Sequence, residues 1–399
     1  MADFKTQLKE AICESKREIL GVVALAVNQD GDITHSHAAG KTHLSVDHAN
    51  DIDADSVFPL ASATKLITVI ALLRLIQSNS SITIDDTDIV AKYLPELCNQ
   101  DVISSPPGQP LAYEARQQPI TLRQLLTHTS GSGSDILEPR LLAWRKGRGE
   151  TPKYLSADLP EAIATPSLFQ PGGGWAYGAG LDWVGLLIAR ITGENFSTFV
   201  KREVCDVVGC DSLIGFRKSE IEAQGGVVVQ VVVKDPQEGL KEHRIPDQKS
   251  ERGGGGMLAS AKNYVKILAD LIAKESKLLD EERMDMLFGP QLEEGGTALE
   301  SLRSQAHIFK GMTGPLTANL PHSSLNHALG GLLITDDTPA LGKSANTLAW
   351  GGAFGSMWFA NREQGVAAFF GGCTFPPGQG KNAQLTGEFV KEVWKGLGE

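Results

Sequence analysis

Residues 61–68, ASATKLIT, set Ser62 three positions before Lys65 at the mouth of an apolar run. The run continues through Leu66, Ile67, Val69, Ile70, Leu72, Leu73, Leu75 and Ile76. On a helix, residues i and i+3 share a face, with Cβ atoms ~5–6 Å apart, so the two side chains can touch. A serine hydroxyl is a weak nucleophile until a base takes its proton. A lysine amine can be that base where burial or a neighbouring cation disfavours the ammonium, and an apolar helix supplies burial. The helix N-terminus adds positive potential, which favours a developing alkoxide. A bare S-x-x-K also fits a serine that caps the helix and a lysine that snorkels to water. The pair therefore needs support from elsewhere in the chain.

Two glycine-rich stretches offer it. FQPGGGWAYGAGLDWVGLLIARITG (169–193) sets Tyr177 in a turn just before a helix. A tyrosine there can cover the helix start or present its phenol to a crevice as a proton shuttle. LAWGGAFGSMW (348–358) puts Trp350, Gly351 and Gly352 between two strands. Two glycines leave the backbone bare, so the next N–H can face a ligand, as an oxyanion hole requires. A plain hairpin turn fits the same residues. His35, His37, His43 and His48 lie close together but match no usual zinc spacing. His128, in LLTHTSG, reads as a hydrogen-bonder capping a helix end. No phosphate-binding glycine motif appears, since GGGG (253–256) lacks its Lys-Ser/Thr ending.

The elements that must position these residues fall into two groups. Residues 3–19 read as an amphipathic helix, 21–27 as a buried strand and 33–39 as a second strand after a turn at Asp30-Gly31. Toward the other end, 327–335, 346–350, 356–363 and 365–373 read as strands, and 383–397 as a closing helix. The simplest architecture is α/β (α+β): one antiparallel sheet built from both chain ends, residues 1–57 and 331–399, with flanking helices. Residues 58–330 form a mostly helical region, periodic at 62–77, 86–93, 120–127, 181–192, 196–207 and 259–274. It carries a hairpin near 226–245, with Asp235-Pro236 in its turn. RGGGGML (252–258) reads as a flexible joint before a helix capped by Ser260. The crevice between the two regions is the expected small-molecule site.

Bulk properties exclude some partners. The 399 residues carry a net charge of −11, which argues against nucleic acid or an anionic membrane. No apolar run is expected to reach the length of a membrane span. The first twenty residues lack an apolar core like that of a signal peptide, so a cytoplasmic location is expected. Cys13, Cys98, Cys205, Cys210 and Cys373 are an odd, scattered set and read as reduced and structural.

Together and in this order, the motifs resemble one superfamily, the serine β-lactamases and penicillin-binding proteins. The closer likeness is to family VIII carboxylesterases and to fungal acyltransferases of the lovastatin type. The matching stretches are FPLASATKLIT (58–68), ITLRQLLTHTSG (120–131), PGGGWAYGAGLDWVG (171–185), GGGGMLASAKNYVKIL (253–268) and LAWGGAFGSMW. They span nearly the whole chain from about residue 20.

The resemblance implies a site. Ser62 becomes acylated, Lys65 accepts its proton and Tyr177 relays it. The N–H groups of Ser62 and Ala353 form the oxyanion hole. Trp350, Gly351, Gly352 and Trp175 stand on the substrate side, and neither metal nor cofactor is implied. Two positions depart from the β-lactamase pattern. Tyr-x-Asn has Ala179 in its third place, and Lys-Thr-Gly is replaced by Trp350-Gly351-Gly352. The cation that would hold a β-lactam carboxylate is gone, and tryptophan offers an apolar face instead. The expected substrate is an uncharged, hydrophobic ester or thioester, processed by a carboxylesterase or acyltransferase of small-molecule metabolism. The partners are an acyl donor, with coenzyme A or a carrier protein as candidate thioester carriers, and an acceptor. Segments 132–168 and 303–330 could line the crevice through Trp144, Tyr154, Phe169 and Phe309, although aromatic residues there also fit an ordinary core. A non-catalytic binder or cyclisation scaffold, or a weak β-lactam hydrolase, is the alternative on the same fold.

Overall fold

Burial decides how the chain ends fold. GVVALAVN is apolar on both faces of its strand, so it cannot lie at an edge. In the computed structural model, which describes residues 3–245, 248–317 and 320–397, it forms the strand β1 (Gly21–Asn28). The other strands of its sheet are β2 (Ile33–Gly40), β3 (Leu325–His327), β4 (Leu332–Ile334), β5 (Thr347–Gly351), β6 (Met357–Asn361) and β7 (Val366–Gly372). Their order is β3-β4-β5-β6-β7-β1-β2, and neighbours run antiparallel. Both chain ends meet here: β1 pairs with β7, with Val22 opposite Gly372 and Leu25 opposite Phe369. β2 is an edge strand, and its residues alternate between exposed and half-buried along most of its length.

Helices cover both faces of this sheet. Four matter for the site and its support: α1 (Thr64–Ser78), α2 (Gly180–Thr192), α3 (Ala261–Ile272) and α4 (Gly380–Lys395). Phe369 and Phe370 are adjacent in β7, so their side chains point to opposite faces. Phe369 meets Tyr264 of α3 at 4.7 Å between ring centres, while Phe370 meets Phe389 of α4 at 6.3 Å. The result is a helix–sheet–helix sandwich. α1 is buried almost all round, including Thr64, Lys65 and Thr68, and packs against α2. By length and composition the segment Ala61–Ser78 could cross a membrane, contrary to the expectation that no run was long enough; most of it is instead covered by this protein's own core.

Several elements differ from their expected extents. The first helix is only Phe4–Ala11, and the chain turns back so that Glu18 N–H reaches Ala11 O at 2.9 Å. The expected strand 327–335 is broken into β3 and β4 by a turn closed by Ala328 N–H on Gly331 O. β3 thus brings residues of the mostly helical region into the large sheet. The hairpin is shorter than 226–245, pairing Val232–Asp235 with Gly239–Glu242, and its first strand also runs parallel to Thr374–Phe375. Residues 226–230 leave it because Val229 and Gln230 donate to Val57 O and Thr42 O. Ser260 caps α3 as expected, accepting from Asn263 N–H. RGGGGML is not a loose joint: Gly253, Gly254 and Met257 are buried between α1 and α2.

Candidate active site

A backbone ladder sets the turn that carries Ser62. Strand Val57–Pro59 pairs with Leu258–Ser260, and Leu60 N–H continues the pairing onto Met257 O at 2.9 Å. The chain must then swing into α1. Ala61 does so with φ +45°, a left-handed conformation that costs an alanine ~1–2 kcal/mol. One 3-10 turn, Ala61–Ala63, follows and runs into α1. Tyr264 Oη–H on Ala63 O (2.8 Å) and Met257 N–H on Thr64 Oγ1 (3.1 Å) hold it in place.

Ser62 receives two donors at this turn. Tyr177 Oη lies 2.5 Å from Ser62 Oγ, and Lys65 Nζ lies 3.2 Å from it. Lys65 Nζ also donates to Gly254 O at 2.5 Å and sits 4.7 Å from the centre of the Tyr177 ring. Lys65 is 7% exposed, so it does not snorkel to water, and neither the 3-10 turn nor α1 has a side-chain cap. The bland explanation of S-x-x-K therefore fails on both residues.

The glycines after Trp350 bring a second backbone segment to the same place. A Cβ on Gly352 would collide with Leu60 O and Ser356 Oγ, so only glycine lets the end of β5 lie against Leu60. Gly352 N–H closes a turn on Ser356 O, and Ala353 follows, half-buried. Among the described residues neither Ser62 N–H nor Ala353 N–H has an acceptor.

Behind Tyr177 stands a wall of rings. Trp175 stacks on it at 6.3 Å and 11°, His128 meets it edge-on at 4.9 Å, and Trp350 lies 5.3 Å away. Trp175 and Trp350 are 1% and 2% exposed, so both indoles back the tyrosine and neither forms an open face. His327 contacts Trp350 and His128, and its Nδ1 lies 2.5 Å from Ala328 O. Burial pushes the His327 imidazole down to about 4 and holds His128 well below its ordinary value, with His327 and Lys65 adding to the effect at His128. His128 does not cap its helix as expected. Its Nδ1 is buried without a partner among the described residues, and the backbone N–H of Thr129 closes the helix end on Gln124 O.

A family model described as Beta-lactamase matches residues 8–379, most of the chain. The chain belongs to the beta-lactamase family. It is 30% identical to acyltransferase calJ of Penicillium decumbens, over 99% of this chain and 98% of the relative. It is 29% identical to lovastatin esterase of Penicillium rubens, over 88% and 87% of the two chains. Among solved structures, unliganded simvastatin synthase (LovD) from Aspergillus terreus superposes with a TM-score of 0.87 at 24% identity, covering 99% of each chain. The protein is thus a serine-dependent enzyme of the esterase and acyltransferase kind on a β-lactamase-like fold.

Within this beta-lactamase-family fold, the pocket beside the serine is not where the long segments predicted it. A cavity of about 390 Å³ opens against Ala61 and Phe354. Val229, Val231 and Met257 are buried in its floor, and His243 stands in its wall, stacked on Phe375 at 4.5 Å. Lys218, Glu242 and Arg244 line its charged part. The expected lining aromatics lie elsewhere. Trp144 has the guanidinium groups of Arg145 and Arg148 over its ring, Phe169 packs on Ile103, Leu141 and Leu168, and Tyr154 donates to Asp182. The side chain of Phe309 lies outside the described residues. Of the histidine cluster, His37 pairs with Glu392 at 3.1 Å, and the described residues contain no group of three or more metal-binding side chains.

Sequence reading missed Phe354, His243, His327 and Asp182. Phe354 adjoins Ala353, so its place was within reach. His243 and His327 had no signal, because their neighbours at the site are far away in sequence.

Proposed function

We propose that the protein transfers an acyl group through an ester on Ser62. Ser62 Oγ attacks the carbonyl carbon of an ester or thioester and its proton passes to Lys65 Nζ. The N–H groups of Ser62 and Ala353 receive the oxyanion, and losing such a donor typically costs ~10²–10³ in rate. The C–O or C–S bond to the leaving group breaks as Tyr177 or Lys65 returns the proton to it. A second nucleophile then gives its proton to the same pair and takes the acyl group. Water in that role makes the enzyme an esterase, and a bound alcohol or amine makes it an acyltransferase.

The observation that carries this reading is the convergence of Lys65 Nζ and Tyr177 Oη on Ser62 Oγ. The 390 Å³ cavity, apolar in its floor, supports a hydrophobic acyl group or acceptor. Trp350 in place of a lysine supports an uncharged one. Trp175, Trp350, Gly351 and Gly352 are assigned to shaping the substrate side from behind Tyr177. The relatives, an acyltransferase and a lovastatin esterase, support a small-molecule metabolite ester as substrate. Coenzyme A and a carrier protein are the proposed thioester carriers. A cytoplasmic location is part of the same reading, and no disulfide joins the five cysteines among the described residues, which suits a reducing compartment.

Incubation with short-chain oxyesters and thioesters, followed by intact mass and peptide mapping, tests the assignment. Wild type gains one acyl group on Ser62, and Ser62→Ala gains none while keeping its fold. An S62A protein that turns over p-nitrophenyl esters at the wild-type rate would sink it.

A further inference from the structure

Lys65 is held from behind by a buried carboxylate. Its Nζ donates to Gly254 O, and Gly254 N–H donates to Asp182 Oδ1 at 2.8 Å. Asp182 lies in the first turn of α2 and is fully buried. Its Oδ2 accepts from Tyr154 Oη at 2.7 Å. Arg252, 4% exposed, brings Nη1 to 4.0 Å from the same oxygen and lays its guanidinium 5.1 Å from the centre of the Tyr154 ring. Gly254 has no freedom between these partners. A Cβ there would come within 2.9 Å of Asp182 Oδ1, and Gly253 O is tied to Thr68 Oγ1 at 2.7 Å.

The charges around this network are unequal. Lys65 faces Tyr177, and the buried imidazoles of His128 and His327 share its surroundings. Neither imidazole can offset a cation. When Lys65 takes the serine proton it becomes a buried ammonium, which is costly without an opposite charge. Asp182 is the carboxylate of the network, facing Tyr154 and Arg252 on one side and Gly254 on the other. The Tyr154 phenol is pushed well up, first by burial and then by this carboxylate, so it stays protonated and remains a donor.

We propose that Asp182, supported by Tyr154 and Arg252, is a positioning residue that aims the Lys65 amine at Ser62 through Gly254 and supplies the negative charge facing Lys65 when it holds the serine proton. The proposal rests on the acyl-transfer reading above. Asp182→Asn keeps the shape and removes the charge. With p-nitrophenyl butyrate, kcat falls by about 10²-fold, KM stays near wild type, and the acid limb of the pH–rate profile moves to lower pH because the ammonium is less favoured. Tyr154→Phe gives a smaller loss in kcat with the limb in place. A folded D182N enzyme whose limb stays at the wild-type pH overturns the proposal, whatever its kcat. If D182N does not fold, Y154F decides: reduced kcat at unchanged KM supports the proposal, and wild-type kcat overturns it. The wild-type mass adduct is measured alongside. Its absence counts against acyl transfer through Ser62, whereas an adduct with an unmoved D182N limb counts against Asp182 alone.

Discussion

The centre around Ser62, Lys65 and Tyr177, proposed to handle protons, and the cavity beside it are built in opposite ways. The centre is packed on every side: a left-handed Ala61, a glycine end of β5 pressed on Leu60, and a peptide threaded between α1 and α2 leave Lys65 one place to be. The cavity is assembled from separate segments, among them Val228–Val231, the end of the short hairpin, and Phe354 after a turn. A packed centre holds its chemistry constant. A cavity made from separate loops can change its shape without moving the serine, and this is how one fold supports different acyl groups.

Breaking the centre has the largest effect. Lys65→Arg keeps a cation but cannot give up its proton at working pH. It loses ~10²–10⁴ in kcat, nearly as much as Lys65→Ala. Single-turnover acylation measures this, and substantial activity in K65R would leave Tyr177 as the base. Next comes the wall behind Tyr177. Trp350→Ala removes a ring that is 2% exposed and costs ~3–5 kcal/mol of stability, read as a lower urea midpoint. A midpoint within error of wild type would show that the wall adds little.

Acid stability sharpens the comparison, because the centre holds its imidazoles neutral. His327 is lowered by burial to about 4, against an ordinary value of 6.5. The unfolded chain therefore binds more protons between these values. Stability is complete above about pH 6.5 and falls as pH falls toward 4, by about 3 kcal/mol for this group. His327→Gln flattens that part of the stability–pH curve, and a curve parallel to wild type would refute the assignment. The smallest effect belongs to the cavity. Phe354→Ala enlarges it and shifts kcat/KM toward longer acyl chains by roughly tenfold, measured over a series of p-nitrophenyl esters. Unchanged chain-length preference would move the acyl group elsewhere.

What was legible in the sequence follows the same division. Ser62, Lys65, Tyr177 and Gly352 each sit in a short motif, and the fold brings these motifs to one place. The buried runs of β1 and β7 declared a sheet built from both chain ends. The split of 327–335 was hidden because Gly330-Gly331 lies inside an apolar run that looks continuous. The cavity was hidden because its walls are contacts between distant segments: His243 reaches Phe375, and Val229 follows a bond to Val57. Glycines 253–256 read as flexible when seen alone, and only α1 and α2 on either side make them a tightly packed thread.

The interior place of β1, between β7 and β2, constrains how the protein is made. Val22 pairs with Gly372, 350 positions later (372 − 22), so β1 acquires its second neighbour only once β7 has been made. At roughly 5–20 residues per second, the ribosome leaves that apolar edge unpaired for on the order of tens of seconds. An open, uncharged edge is a template for pairing with another nascent chain. Any chain cut short before β7 therefore leaves that edge bare.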